Sequence, residues 1–263
     1  MPEYAIIFAG FAVGLVVGLT GVGGGSLMTP ILIFFFGVKP YLAVGTDLLF
    51  AAFTKLGGTV SLARRRLVPW RVVGHLSAGS LPAAIITLFI LHRLGPASAA
   101  VQSIITSTLG VALLLTAIAT FYKALKGHRA PRQIAADQQD QATRARHWSY
   151  PVLFGALIGV LVTITSVGAG AIGVTVLLLL YPLLPLPRIV ASDIAYAVPL
   201  TLVAGMGHAS LGSVDWHLLA LLLTGSIPGI WLGSRLIHHT PERLIRSGLS
   251  VLLAWAGLKL IAI

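Results

Sequence analysis

The chain has 263 residues, 57% hydrophobic and only 10% charged, with a mean hydropathy of +0.95 and a formal net charge of +11. Such a balance excludes a soluble domain of any size and predicts a polytopic membrane protein, because each span needs about 20 apolar residues. The absence of cysteine excludes disulfides, thiol catalysis and sulfur-ligated metals, and the positive charge, confined to short loops between apolar runs, reads as a topology signal and not as nucleic-acid binding.

The first apolar segment, 4–20, follows Met1-Pro2-Glu3-Tyr4, which lacks the basic n-region and small-residue cleavage site of a secretory signal, so it is expected to remain as a membrane helix. It ends where Thr20 precedes Gly21-Val22-Gly23-Gly24-Gly25-Ser26, and a short segment, 26–37, follows. Segments 42–62, 71–93 and 97–124 complete a first repeat over 1–125. The stretch Lys126 to His147, rich in Gln, Asp, Arg and Ala, reads as an extramembrane linker (126–148) with room for a short helix. A second repeat, 149–263, holds segments 150–165, 171–184, 189–210, 216–237 and 243–262. Segment 26–37 is too short for an untilted crossing. It and 171–184 fit half-helices, re-entrant arms or tilted second legs of hairpins.

The halves echo one another. The glycine run returns 145 residues later as Ser166-Val167-Gly168-Ala169-Gly170. At a shift of 146, Thr46-Asp47-Leu48 falls on Ser192-Asp193-Ile194, Val68-Pro69-Trp70 on Val214-Asp215-Trp216, and Gly79-Ser80-Leu81-Pro82 on Gly225-Ser226-Ile227-Pro228. An internal repeat changes the expected fold, and charge chooses between its parallel and inverted forms. If each half crosses an odd number of times, all of the 18 Lys and Arg except Lys39, Lys55, Arg93 and Lys259 lie on one side. Lys and Arg excess marks the cytoplasm, which puts the linker inside and both termini outside. The expected fold class is therefore an all-α polytopic membrane protein of about eight to ten segments, in two inverted-topology repeats with broken or re-entrant helices.

Gly14 through Ser26, the nearby Pro30, the Ala43-Val44-Gly45-Thr46-Asp47-Leu48 segment and the second-half echo together resemble the TauE/SafE family of sulfite-exporter-type membrane permeases. The resemblance spans the whole chain, central linker included. It implies transport of small sulfur oxyanions or organosulfonates across a bacterial inner membrane, in a family whose members differ in substrate. The second copy departs from the first, with Ser166 and Ala169 where the first has Gly21 and Gly24.

The chemistry of the breaks also suits an anion. Hydrocarbon offers no hydrogen-bond partners, so unwound backbone at membrane depth survives only against protein or a water-filled cavity. A helix that restarts after a break presents unsatisfied N–H groups and the positive end of its dipole. Hydroxyls cluster around both breaks: Thr20, Ser26 and Thr29 at the first, Thr163, Thr165 and Ser166 at the second. The candidate anion ligands are Thr20, Gly21, Gly23, Gly24, Gly25, Ser26, Thr46, Thr165, Ser166, Gly168, Gly170 and Ser192. Gly10, Gly14 and Gly18, spaced by four, read instead as close helix packing.

Asp47, Asp193 and Lys55 are the ionisable residues inside segments, costly in lipid and functional by default. The two aspartates are equivalent across the repeat, whereas the counterpart of Lys55 is Thr201. Each aspartate reads either as a proton carrier or as a helix-start cap. Lys55 reads either as positive charge on the translocation route or as a side chain reaching toward Arg64, about 13 Å along the helix. His75 and His208 read as hydrogen-bonding residues before proton relays. His217 and His238-His239 read as interfacial, and Trp70, Trp148 and Trp216 as belt anchors. No nucleophile and base, and no metal set, stand at working spacing, so no enzyme and no cofactor are expected. The expected partners are a small anion and the lipid bilayer, without nucleic acid, and a homo-oligomer is compatible. An anion channel or a scaffold subunit of a larger assembly is the alternative to a carrier.

Overall fold

A computed structural model describes residues 3–20, 25–95, 97–126, 148–236 and 242–261, which form ten helices and, among the described residues, no strand. They are α1 (Glu3–Thr20), α2 (Gly25–Phe36), α3 (Pro40–Arg64), α4 (Trp70–Leu94), α5 (Ala99–Lys126), α6 (Ser149–Thr165), α7 (Ala171–Leu180), α8 (Leu186–Ser210), α9 (Trp216–Leu236) and α10 (Glu242–Ile261). The protein is an all-α polytopic membrane protein: α4, α5, α8 and α9 are long and apolar enough to cross a bilayer. Helix α3 is as long as α4 but carries Asp47 and Lys55. Large apolar side chains such as Phe8, Ile86, Leu157 and Trp231 face outward, as expected where the surroundings are lipid.

Each helix coincides with one apolar segment of the sequence. The largest difference is α7, which stops at Leu180 where the apolar run continues to residue 184. Pro182 disfavours helical geometry at Tyr181, and Tyr181 has φ −128 and ψ 64. Helix α3 begins two residues earlier than the apolar run because Pro40 occupies its first turn, where a missing N–H costs nothing. Most of the linker, 127–147, lies outside the described residues, as do His238 and His239.

Contacts between helices follow a two-fold pattern. With α1 to α5 matched to α6 to α10, α1 packs on α9 as α6 packs on α4; α2 meets α3 as α7 meets α8; and α3 packs on its own mate α8 as α5 packs on its own mate α10. Small residues bring the backbones together. Gly10 and Gly14 of α1 lie against the α9 backbone at Leu222 and Ser226, and Gly155 and Gly159 of α6 lie against α4 at Leu76 and Ser80. Any Cβ at these four positions would collide with a carbonyl, so the spacing of four serves packing. The same contacts set direction. Residue numbers rise together in α1 with α9 and in α6 with α4, so these pairs are parallel. Gly205 of α8 meets Leu49 of α3 while Ile194 meets Gly58, and Gly110 of α5 meets Ile261 of α10 while Leu114 meets Gly257, so the mates α3/α8 and α5/α10 are antiparallel.

Those directions sort the helix ends. At one end Glu3 at the start of α1 pairs with His217 at the start of α9 (3.3 Å), Thr46 near the start of α3 meets Asp215, and Lys259 late in α10 lies over Phe34 late in α2. Helix α2 therefore returns to the end where α1 began. At the opposite, basic end stand Arg64, Arg65, Arg66 and the start of α4, whose Arg71 acts on Tyr181 beyond the end of α7. Because α6 runs parallel to α4, α7 likewise returns to the end where α6 began. Two hairpins, α1–α2 and α6–α7, thus enter the bundle from opposite ends.

Candidate transport site

The second break is a buried elbow. Helix α6 closes with Ser166 in the left-handed region at φ 60, followed by Gly168 at φ 131 and Gly170 at φ 127. Such backbone is nearly closed to residues with a Cβ. Residues 166–170 are all buried. The hydroxyl of Thr165 holds the elbow, accepting the Val167 N–H (3.1 Å) and donating to the Leu161 carbonyl (2.6 Å). Gly173 and Val174 donate their N–H groups to the Gly168 and Gly170 carbonyls (3.1 and 3.0 Å). The first turn of α7 still leaves N–H groups without intrahelical acceptors. At a shift of 145 the three positive-φ positions fall on Gly21, Gly23 and Gly25, so the first copy has glycine at every position where the second copy turns left-handed.

In the first half, Gly21, Gly23 and Gly24 lie outside the described residues. Thr20 ends α1, and Gly25 and Ser26 open α2.

The elbow of the second half meets the first half at Asp47. That carboxylate is fully buried and accepts the Thr29 hydroxyl of α2 at 2.5 Å through Oδ2, while Oδ1 has no hydrogen bond. Ser166 lies beside the same carboxylate and interacts with it, but outside hydrogen-bonding geometry. Asp47 is not a helix cap: α3 starts at Pro40 behind Lys39, which makes no side-chain cap, and Asp47 sits about 10 Å along the helix from that start. Asp193 likewise sits about 10 Å from the start of α8. Since α3 and α8 are antiparallel, the two carboxylates occupy opposite depths.

Lys55 stands between them. Its side chain is buried and interacts with Asp193 and, less strongly, with Asp47. The weaker coupling follows from register: Ile194 is level with Gly58, whereas Asp47 is about 12 Å along α3 from Lys55. Asp193 rests on the bare Cα of Gly173, and the hydroxyl of Tyr196, buried and without a hydrogen bond, faces the same neighbourhood. Among the described residues, Lys55 is the one buried Lys or Arg, and Asp47 and Asp193 are the two buried carboxylates.

The structure therefore brings together Asp47, Lys55, Asp193 and Ser166. Other candidate hydroxyls are committed elsewhere. Thr46 accepts the Asp215 N–H (3.0 Å), tying α3 to the start of α9, where Asp215 Oδ1 caps the Leu218 N–H (2.9 Å). Ser192 donates to the Arg188 carbonyl of its own helix (2.8 Å), and Thr163 to Gly159 (2.7 Å). His208 donates from Nε2 to the Thr163 carbonyl (2.9 Å), the hydrogen-bonding role its position suggested. Gly173 and Tyr196 had no place among the sequence candidates. The signal for Tyr196 was its i+3 spacing from Asp193, which puts both on one helix face; for Gly173 only the fold supplies it.

A buried charge seam between two helical hairpins, inside a bundle with a lipid-facing exterior, is the architecture of a polytopic membrane transporter. The chain belongs to the sulfite exporter TauE/SafE family, whose pattern matches residues 6–260. It is 36% identical over 257 residues to the probable membrane transporter protein YjnA of Bacillus subtilis (strain 168), across 98% of this chain and 99% of that one. It is 28% identical to the probable membrane transporter protein YunE of the same organism, across 90% and 87% of the two chains. The probable membrane transporter protein MJ0441 of Methanocaldococcus jannaschii is 25% identical, across 96% and 93%. No solved structure matches.

Proposed function

We propose that this protein is a secondary transporter that carries a small anion, sulfite, a related sulfur oxyanion or an organosulfonate, across the bacterial inner membrane by alternating access, with proton coupling. The observation that carries the reading is the seam itself: one lysine between two carboxylates, at the contact of two hairpins that enter from opposite ends. A lone cation at membrane depth attracts an anion, and flanking carboxylates supply exchangeable protons. The elbow at 166–170 offers backbone N–H groups and the Ser166 hydroxyl as further ligands, and Thr20 to Ser26 are proposed as ligands in the first half. Antiparallel mates and oppositely entering hairpins favour two inverted repeats, 1–125 and 149–263, that rock about the α3/α8 contact. The basic end, with Arg64 to Arg66, Arg71, Arg188 and Arg235, is placed in the cytoplasm together with the linker. No catalytic role is proposed.

Proteoliposome flux over a panel of sulfite, thiosulfate, sulfoacetate and taurine, with and without a pH gradient, tests it. Saturable uptake with mutual competition is expected for at least one of them. Flux of a cation with none of the anions would overturn the reading, and flux without saturation would turn it into a channel.

A further inference from the structure

The seam has a charge deficit that sets how many protons travel with each anion. Two carboxylates and one lysine amount to one excess negative charge, and a buried unpaired charge is neutralised before it is tolerated. Lys55 is coupled chiefly to Asp193. Asp47 lies farther from it, fully buried, with one oxygen bound by Thr29 and the other without a hydrogen bond. The neighbouring helices add no compensating charge. From α8, Tyr196 is a neutral phenol beside Asp193. His208 donates from Nε2 with no partner on Nδ1, and a protonated ring would bury an unsatisfied N–H. Asp215 is exposed and caps α9. His75 of α4 is partly buried, and Arg64, Arg71, Arg188 and Tyr181 stand at the basic end of the bundle. Helices α2 and α7 bring no titratable side chain to the seam among their described residues.

We propose that Asp47 carries a resident proton and that Asp193 takes up one further proton each time a monovalent anion replaces it beside Lys55, so that transport is an electroneutral symport of one proton per anion. The count follows from neutrality at both stages. Without cargo, one proton balances two carboxylates and one ammonium. With a monoanion bound, two protons do. The difference is one proton, picked up and released with the anion. This inference rests on the anion-transport reading above, and two measurements separate their failures.

The first needs no substrate. Infrared spectra of the purified protein at neutral pH should show the C=O stretch of a protonated carboxyl, shifted in D2O and lost in Asp47→Asn. Absence of that band in the wild-type protein, or its persistence in the variant, overturns the resident proton. The second uses labelled isethionate, a sulfonate whose single charge does not change with pH over the working range. In proteoliposomes an inside-alkaline gradient of one pH unit should drive about tenfold accumulation, unchanged when a potassium–valinomycin clamp alters the membrane potential. In Asp47→Asn/Asp193→Asn, which leaves no carboxyl beside Lys55 to exchange a proton, accumulation should follow the potential and ignore the pH gradient. Wild-type uptake driven by potential, or pH coupling retained in that double variant, overturns the stoichiometry. An infrared band that behaves as expected, beside a protein that moves neither isethionate nor sulfite, upholds the resident proton and overturns the cargo.

Discussion

Asp47 and Asp193 occupy equivalent places in the two halves, yet their surroundings differ. Asp47 adjoins Ser166 of the opposite half's elbow and lies two helical turns from Lys55. Asp193 lies about one helical turn from Lys55, against the bare backbone of Gly173 and beside the Tyr196 hydroxyl. The counterpart of Tyr196 in the first half is Phe50, and that of Lys55 in the second half is Thr201. The two-fold contact pattern thus supplies two matched carboxylate positions, and differing residues around them give them different partners. The difference teaches that the symmetry belongs to the packing and the asymmetry to the chemistry.

Removing the shared cation tests both carboxylates at once. Lys55→Met leaves the buried Asp193 carboxylate without its cation, a change of about 3–5 kcal/mol, so flux should fall by at least about 100-fold while the purified variant keeps its helical circular dichroism. Flux within a factor of a few of wild type would remove Lys55 from the route. Gly173→Ala addresses only the Asp193 layer. The new methyl would occupy the space of the Asp193 carboxylate oxygen, and about tenfold slower flux is expected, since a displacement near 1 Å at a site costs of that order or more. Its control is Gly58→Ala, where the added Cβ meets only the Ile194 side chain at 3.7 Å; its flux should stay within about twofold. Equal losses in the two would sink the assignment of Gly173. Thr29→Val addresses the Asp47 layer, deleting one hydrogen bond to a carboxylate without changing shape. Such bonds contribute about 1.5–3 kcal/mol, but a neutral carboxyl loses less, so about a fivefold loss of flux is expected, with the infrared carboxyl band moved to higher frequency. An unmoved band would mean that Thr29 does not touch the protonated group.

The architecture was largely legible from the chain. Apolar runs separated by Pro, Gly and Arg mark each of the ten helices because hydrocarbon permits so few alternatives for a buried backbone. The elbow at 166–170 was legible for the same reason, since Gly168 and Gly170 sit where the backbone turns left-handed. The stripes through Gly10 and Gly14 read correctly as packing surfaces because spacing by four places residues on one helix face. The site was legible in part. Asp47, Asp193 and Lys55 stood out as charges within apolar segments, but a helix-start cap was as reasonable a reading of Asp47 as a pair with Thr29, because a cap is a local geometry that local sequence suggests. Thr46 and Ser192 looked like ligands beside the aspartates, yet one reaches the Asp215 backbone 169 residues away and the other its own helix.

What the sequence by itself determined is therefore which stretches are helical, that they belong to a membrane protein, and which few charges lie inside. These follow from periodicity and from the cost of polar groups in lipid, both of which act residue by residue. Loop charge already pointed to oppositely oriented halves, but tertiary structure alone decided that α3 packs against α8 and α5 against α10, and that Lys55 pairs more closely with Asp193 than with Asp47. Those depend on the register between helices far apart in the chain, which is set by how glycine-lined faces fit against one another.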